Sequence, residues 1–197
     1  MTEPATKRHL RAVAVFCGSN TGAGSTFTDA AAGLGRALAQ AGIGIVYGGT
    51  HKGLMGVLAD AALAEGGMVH GVITQRLFDK DHLHPGLSLH EVVEGMGARK
   101  ARMLGLADAC IALPGGIGTT EEFMEAWTLN QLGDIDKPVG LLNVAGFYDS
   151  FMGFVDTMIA NRFLPEQHRD GIVVEADPSC LIDRLRHFTK PVVPKWM

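Results

Sequence analysis

Short apolar runs alternate with longer segments of helical spacing along the whole chain. Residues 11–17 (RAVAVFC) form the first apolar run, stopped at Gly18-Ser19-Asn20-Thr21-Gly22, and an Ala/Leu-rich stretch over 26–41 follows. The pattern then repeats. Runs at 43–49, 68–73, 89–93, 109–116, 137–144 and 171–176 predict strands, and segments 53–66, 95–107, 119–133, 147–163 and 178–188 predict helices. The runs are almost wholly apolar rather than alternating, as in strands covered on both faces. Strand alternating with helix predicts parallel strands joined by helical crossovers. The expected fold class is therefore α/β, a single doubly wound, Rossmann-like sheet with helices on both faces. No repeat or linker breaks the pattern, so 1–197 reads as one domain with 1–10 as a loose N-terminal tail. Residues 74–88 (TQRLFDKDHLHPGLS) are the least regular stretch and predict a functional loop or short helix near a rim.

Charge narrows the function classes. The 197 residues carry a formal net charge of −4 and no Lys/Arg-rich run, so a nucleic-acid partner is not expected. The three cysteines, Cys17, Cys110 and Cys180, are far apart and form no CxxC. That usage fits neither a disulfide framework nor a zinc ribbon and predicts a reducing, cytoplasmic location. The start, MTEPATKRHLR, has no apolar core of a signal peptide, and no stretch approaches 18 apolar residues, so neither secretion nor a membrane partner is expected. Charged residues are only 19%, against the usual ~25%, which points to a buried subunit interface. The apolar helices around 96–106 and 123–132 are the candidates for it.

Glycine carries the chemical information: 26 residues, about 13%, against a usual ~7%. Three of the runs end in glycine-rich turns, at Gly18–Gly24, Gly48–Gly56 and Gly115–Gly118. In doubly wound sheets ligands bind beyond the carboxyl ends of the strands. Glycine lets the backbone approach a ligand closely, and the helix that follows offers free N–H groups and a positive dipole end. A phosphate-bearing ligand is the expected guest, although one such turn alone would be plain strand-to-helix geometry. Neither G-x-G-x-x-G nor G-x-x-x-x-G-K-[ST] occurs in register, so nicotinamide and P-loop nucleotide enzymes are not supported.

Two motifs are specific. Pro114-Gly115-Gly116-Ile117-Gly118-Thr119-Thr120-Glu121-Glu122 reads PGGxGTxxE, and Met96-Gly97-Ala98-Arg99-Lys100-Ala101-Arg102-Met103 reads MxxRKxxM. With VFCGSN (15–20), YGGTHKGLMG (47–56), HPGLSLHEVVEGM (84–96) and 131–156, they make almost the whole chain resemble the LONELY GUY family. Those proteins are cytokinin-activating nucleoside 5′-monophosphate phosphoribohydrolases, long labelled lysine decarboxylases. One departure is Gly97-Ala98, where family members usually carry His-Glu.

The resemblance implies hydrolysis of the N-glycosidic bond of an adenine nucleoside 5′-monophosphate, plain or N6-modified. The products are free base and ribose 5-phosphate, through a transition state close to an oxocarbenium ion. It implies Arg99 and Glu122 as catalytic residues. Glu122 also has a purely structural reading, because Thr119-x-x-Glu122 fits a capping box. Arg99 has one too, a solvated helix face shared with Lys100 and Arg102. Glu121 leaves the helix about 100° away from Glu122 and reads as solvated or as favouring the helix N-terminus. Gly115, Gly116, Gly118 and Thr119 are expected to cradle the phosphate, with Ser19, Gly48, Gly49, Met96 and Lys100 also on the substrate. Arg102 is expected at the surface. Cys17 is expected to be buried.

No metal is implied: His82, His84 and His90 fit no ligand spacing. No other cofactor is implied either, since nothing marks the Schiff-base lysine of a pyridoxal enzyme. The family is typically homodimeric. A second reading, from a different class, is a non-catalytic nucleotide-binding protein like the molybdenum-cofactor carriers, which resemble this chain in fold and in a PGGxGT-like turn. The pair Arg99 and Glu122 discriminates the two.

Overall fold

The computed structural model describes residues 7–191. The strands are β1 (Ala12–Phe16), β2 (Gly44–Tyr47), β3 (Val69–Thr74), β4 (Leu89–Val93), β5 (Ala109–Ala112), β6 (Val139–Leu142) and β7 (Ile172–Glu175). The helices are α1 (Thr26–Gln40), α2 (Gly53–Ala64), α3 (Gln75–Phe78), α4 (Met96–Leu106), α5 (Ile117–Leu132), α6 (Asp149–Ala160) and α7 (Pro178–Arg186). All seven strands pair in parallel, in the order β4-β3-β2-β1-β5-β6-β7.

Both faces of the sheet are covered, which is why the strands read as apolar runs. Val13, Val15, Ile45, Tyr47 and Ile111 point to one side and pack with Leu34 and Leu38 of α1, Leu54 and Leu58 of α2, and Leu181 and Leu185 of α7. Ala14, Phe16, Val46, Val72, Cys110 and Leu141 point to the other and meet Met103 of α4, Phe123 and Trp127 of α5, and Met152 and Val155 of α6. The edge strand β4 departs from this pattern: Leu89, His90 and Val92 are exposed.

The strand order fixes the position of the site. The chain runs outward from β1 through β2 and β3 to β4, then returns to place β5 on the opposite side of β1. The connections leaving β1 and β5 therefore diverge, and a crevice opens between them at the carboxyl edge. The two turns touch at its floor, where Gly18 N donates to Pro114 O at 3.1 Å.

Residues 74–88 form α3 and a turn pinned to the end of β2: His84 N donates to Gly49 O at 2.9 Å and His51 N to His82 O at 3.2 Å. The loose tail expected over 1–10 is corrected for its last residues. Leu10 is buried, Arg8 N donates to Arg186 O at 2.7 Å, and the Arg8 guanidinium reaches Asp136 at 2.9 Å. Residues 1–6 lie outside the described residues. Among the described residues no helix is long and apolar enough to cross a membrane.

Candidate active site

The crevice between β1 and β5 holds a cleft of about 200 Å³. Its floor is Gly18, Ser19 and Asn20 from the β1 turn and Pro114, Gly115 and Gly116 from the β5 turn, with Phe27 and Phe147 as walls. The two rings meet edge to face at 5.9 Å. Sequence reasoning missed both aromatics. Phe147 follows β6 and is far away in sequence, so no local signal marks it.

Helix α5 starts at Ile117, with extended Gly116 as its N-cap and no side-chain cap. Thr120 N donates back to Gly116 O at 3.1 Å. The N–H groups of Ile117, Gly118 and Thr119 belong to the first turn and have no intrahelical acceptor. Together with the positive dipole end they favour an anion. Gly116 and Gly118 have open space where a side chain would stand. Gly115 does not: a Cβ there would fall 2.2 Å from Thr119 Oγ1, and Thr119 is buried against it. Glycine is thus needed at 115 to seat Thr119 under the loop.

This start overturns the capping-box reading. The helix begins two residues before Thr119, so Thr119 occupies the third helical position and Glu122 the second turn. Glu122 has no cap N–H to bond. It is partly buried, and burial pushes its carboxyl from 4.5 up to about 7. Glu121 and Glu125 push it further up, while Arg99 and Lys100 hold it down. A carboxyl in that range can take or give a proton near neutral pH.

The solvated-face reading of Arg99 fails as well. Arg99 is 6% exposed. Its Nε donates to Val72 O at 2.9 Å and its Nη2 to Gly48 O at 2.8 Å, while Nη1 lies 3.6 Å from Met96 Sδ. Two backbone carbonyls thus hold the guanidinium at the ends of β2 and β3. Among the described residues no carboxylate comes within ion-pair distance of it, so its charge reaches Glu122 across a gap. Gly48 owes its identity to this arrangement. A Cβ at 48 would stand 1.7 Å from Arg99 Nη2, so Gly48 seats the arginine rather than lining the cleft. Gly49 turns the chain out of β2 with a φ of 73° and accepts from His84, which also places it in the frame. Met96 is 44% exposed beside the arginine.

Lys100 differs from expectation. Its ammonium bonds Glu121 and lies 3.0 Å from Glu125 Oε2, and its side chain is 14% exposed. Arg102 is at the surface as expected, paired with Glu91 at 2.6 Å. Cys17 is buried at the end of β1 near Glu122, and burial raises its thiol far above the ordinary range. Of the histidines considered for a metal, His84 pairs with Asp60 at 3.0 Å and His90 stacks on Phe78. Among the described residues no group of three or more His, Cys, Asp or Glu is gathered as a metal site.

The family model described as "Possible lysine decarboxylase" matches residues 55–185. A cytokinin riboside 5′-monophosphate phosphoribohydrolase of Oryza sativa subsp. japonica is 41% identical over 92% of this chain and 75% of its own length. One from Arabidopsis thaliana is 43% identical over 96% of this chain and 87% of its own. Among solved structures, the molybdenum cofactor binding protein of Rippkaea orientalis superposes with a TM-score of 0.66 at 22% identity, over 88% of this chain and 94% of that one. The molybdenum cofactor carrier protein of Chlamydomonas reinhardtii gives 0.66 at 20% identity, over 87% and 92%. At that identity the two structures show the fold alone.

Proposed function

Because the chain belongs to the LONELY GUY family of cytokinin riboside 5′-monophosphate phosphoribohydrolases, we propose that it cleaves an adenine or N6-modified adenine nucleoside 5′-monophosphate to free base and ribose 5-phosphate. The observation that carries this reading is the setting of Glu122. It is a partly buried carboxyl poised near pH 7, one helical turn beyond an open anion cradle and facing a fixed arginine cation.

In this reading the 5′-phosphate sits on the free N–H groups of α5 and the backbone of Gly115, Gly116 and Gly118, with Thr119 and Ser19 at its edge. The ribose then lies towards Glu122 and Arg99. The C–N bond breaks with positive charge building on the anomeric carbon. Ionised Glu122 offsets that charge and takes a proton from the attacking water, whose hydroxyl bonds to the anomeric carbon; the departing base nitrogen takes up a proton from solvent, and Glu122 then returns its own proton to solvent, so one water is consumed in all. Arg99, held by Gly48 O and Val72 O, offers its remaining N–H groups to the sugar or phosphate. Met96 borders the arginine and lies where the base would leave.

Further parts of the reading are a single nucleotide-binding domain, a cytoplasmic location and a homodimer. One sheet with a core on each face supports the first. Free cysteines at 17, 110 and 180 support the second. Exposed apolar side chains on the two helices that carry the motifs support the third: Ile117 at 90%, Leu132 at 61% and Met96 at 44%.

The test is to incubate purified protein with AMP, with N6-isopentenyladenosine monophosphate and with adenosine, and to chromatograph for free base. The monophosphates are expected to react, and adenosine far more slowly, because binding energy at the remote phosphate supports the sugar chemistry. Equal kcat/KM for AMP and adenosine would remove the cradle from the mechanism.

A further inference from the structure

Arg99 and Glu122 lie on different helices, and the residue beside each of them joins those helices. On α4 successive side chains point about 100° apart. Arg99 turns down to the carbonyls of β2 and β3, and Lys100 turns sideways towards α5. On α5, Glu121 and Glu125 are four residues apart and share one face. Glu122 is rotated about 100° off that face and lies within the influence of Arg99. Lys100 bonds Glu121 and sits 3.0 Å from Glu125. An ammonium with two carboxylates on it is satisfied within the protein and is poorly placed to serve a substrate phosphate.

We propose that Lys100 is a positioning residue, which through Glu121 and Glu125 fixes the spacing of Arg99 and Glu122 and screens Glu122 from the two carboxylates beside it. This rests on Glu122 being the reacting carboxylate. The groups facing Glu122 are Arg99 and Lys100 from α4, Glu121 and Glu125 from its own helix, and the buried thiol of Cys17 from the end of β1. Without Lys100, one cation is gone and two anions are left uncompensated. Both changes make Glu122 hold its proton to higher pH. Removing one of the anions instead does the reverse.

The experiment compares Lys100→Met, Lys100→Arg and Glu125→Gln with wild type. It reads the pH profile of kcat/KM, AMP affinity by calorimetry, and the titration of the Glu122 carboxyl carbon by NMR, identified by its loss in Glu122→Gln. Lys100→Met is expected to move the acid limb and the NMR midpoint up by about one pH unit. A limb moving from about 7 to roughly 8 leaves about a tenth of Glu122 ionised at pH 7 rather than half, so kcat/KM there falls about five-fold and recovers at pH 9.5. AMP affinity at pH 9.5 stays within about two-fold. Lys100→Arg keeps the wild-type limb, because a guanidinium can hold both carboxylates. Glu125→Gln moves the limb and the midpoint down, and it carries the test if Lys100→Met does not fold. The substrate phosphate titrates alike in every profile and cancels in the differences. An unmoved midpoint in Lys100→Met or Glu125→Gln, or a tenfold loss of AMP affinity in Lys100→Met with the limb unmoved, overturns the proposal and returns Lys100 to the phosphate. An inactive wild type would instead overturn the proposed reaction, and the NMR midpoints would still decide the role of Lys100.

Discussion

Glu122→Gln is expected to make the protein more stable at alkaline pH while abolishing most of its activity. The carboxyl titrates near 4.5 when unfolded and near 7 in the folded protein, chiefly because burial disfavours its charge. Between those values the folded state binds the proton that the unfolded state has released, so stability falls as pH rises through this window. At about 1.36 kcal/mol per pH unit the whole loss is about 3 kcal/mol, complete above pH 7 and absent below pH 4.5. Glutamine has the same size and cannot ionise, so the variant does not incur this loss. For a chain of this length, about 3 kcal/mol corresponds to roughly 6–12 °C in Tm. The assay is urea denaturation of both proteins at pH 4.5 and pH 8.5. Other titrating groups are common to both and cancel in the difference. The variant is expected to match wild type at pH 4.5 and to exceed it by about 3 kcal/mol at pH 8.5, with kcat lower by at least ~100-fold at pH 8.5, where the wild-type carboxylate is ionised. A stability difference that does not change with pH would refute the burial argument. Retained activity would refute the role of the carboxylate.

Gly48→Ala should displace the Arg99 guanidinium, since the new methyl would stand 1.7 Å from Nη2. Losing a buried hydrogen bond costs about 1–3 kcal/mol, and kcat should fall at least ~10-fold; near-normal turnover would show that the arginine works from another position. Light scattering at micromolar concentration should give the mass of a dimer, and Leu132→Lys, on the exposed end of α5, should shift it towards monomer. A monomeric wild type would leave the apolar surface of α4 and α5 unexplained.

Much of the architecture is local and therefore legible in the sequence. The apolar runs, the helical segments between them and the glycine turns follow from patterns within one element and its neighbours. All seven strands and the long helices form where those patterns place them. The two motifs likewise single out Arg99 and Glu122 as candidates. What only the tertiary structure decided involves partners distant in the chain. The return of the chain from β4 to β5 sets the crevice beside β1 rather than at any other strand end. Thr119 and Glu122 have the spacing of a capping box, yet Gly116 takes the cap because the β5 turn delivers an extended backbone there and Thr119 is buried under Gly115. Arg99 and Lys100 are adjacent and similarly charged. One is buried on the carbonyls of Gly48 and Val72, and the other is bound to Glu121 and Glu125, because the sheet lies on one side of α4 and α5 on another. Charge type is written in the sequence, but which opposite charge or carbonyl answers it depends on which elements the core packs together.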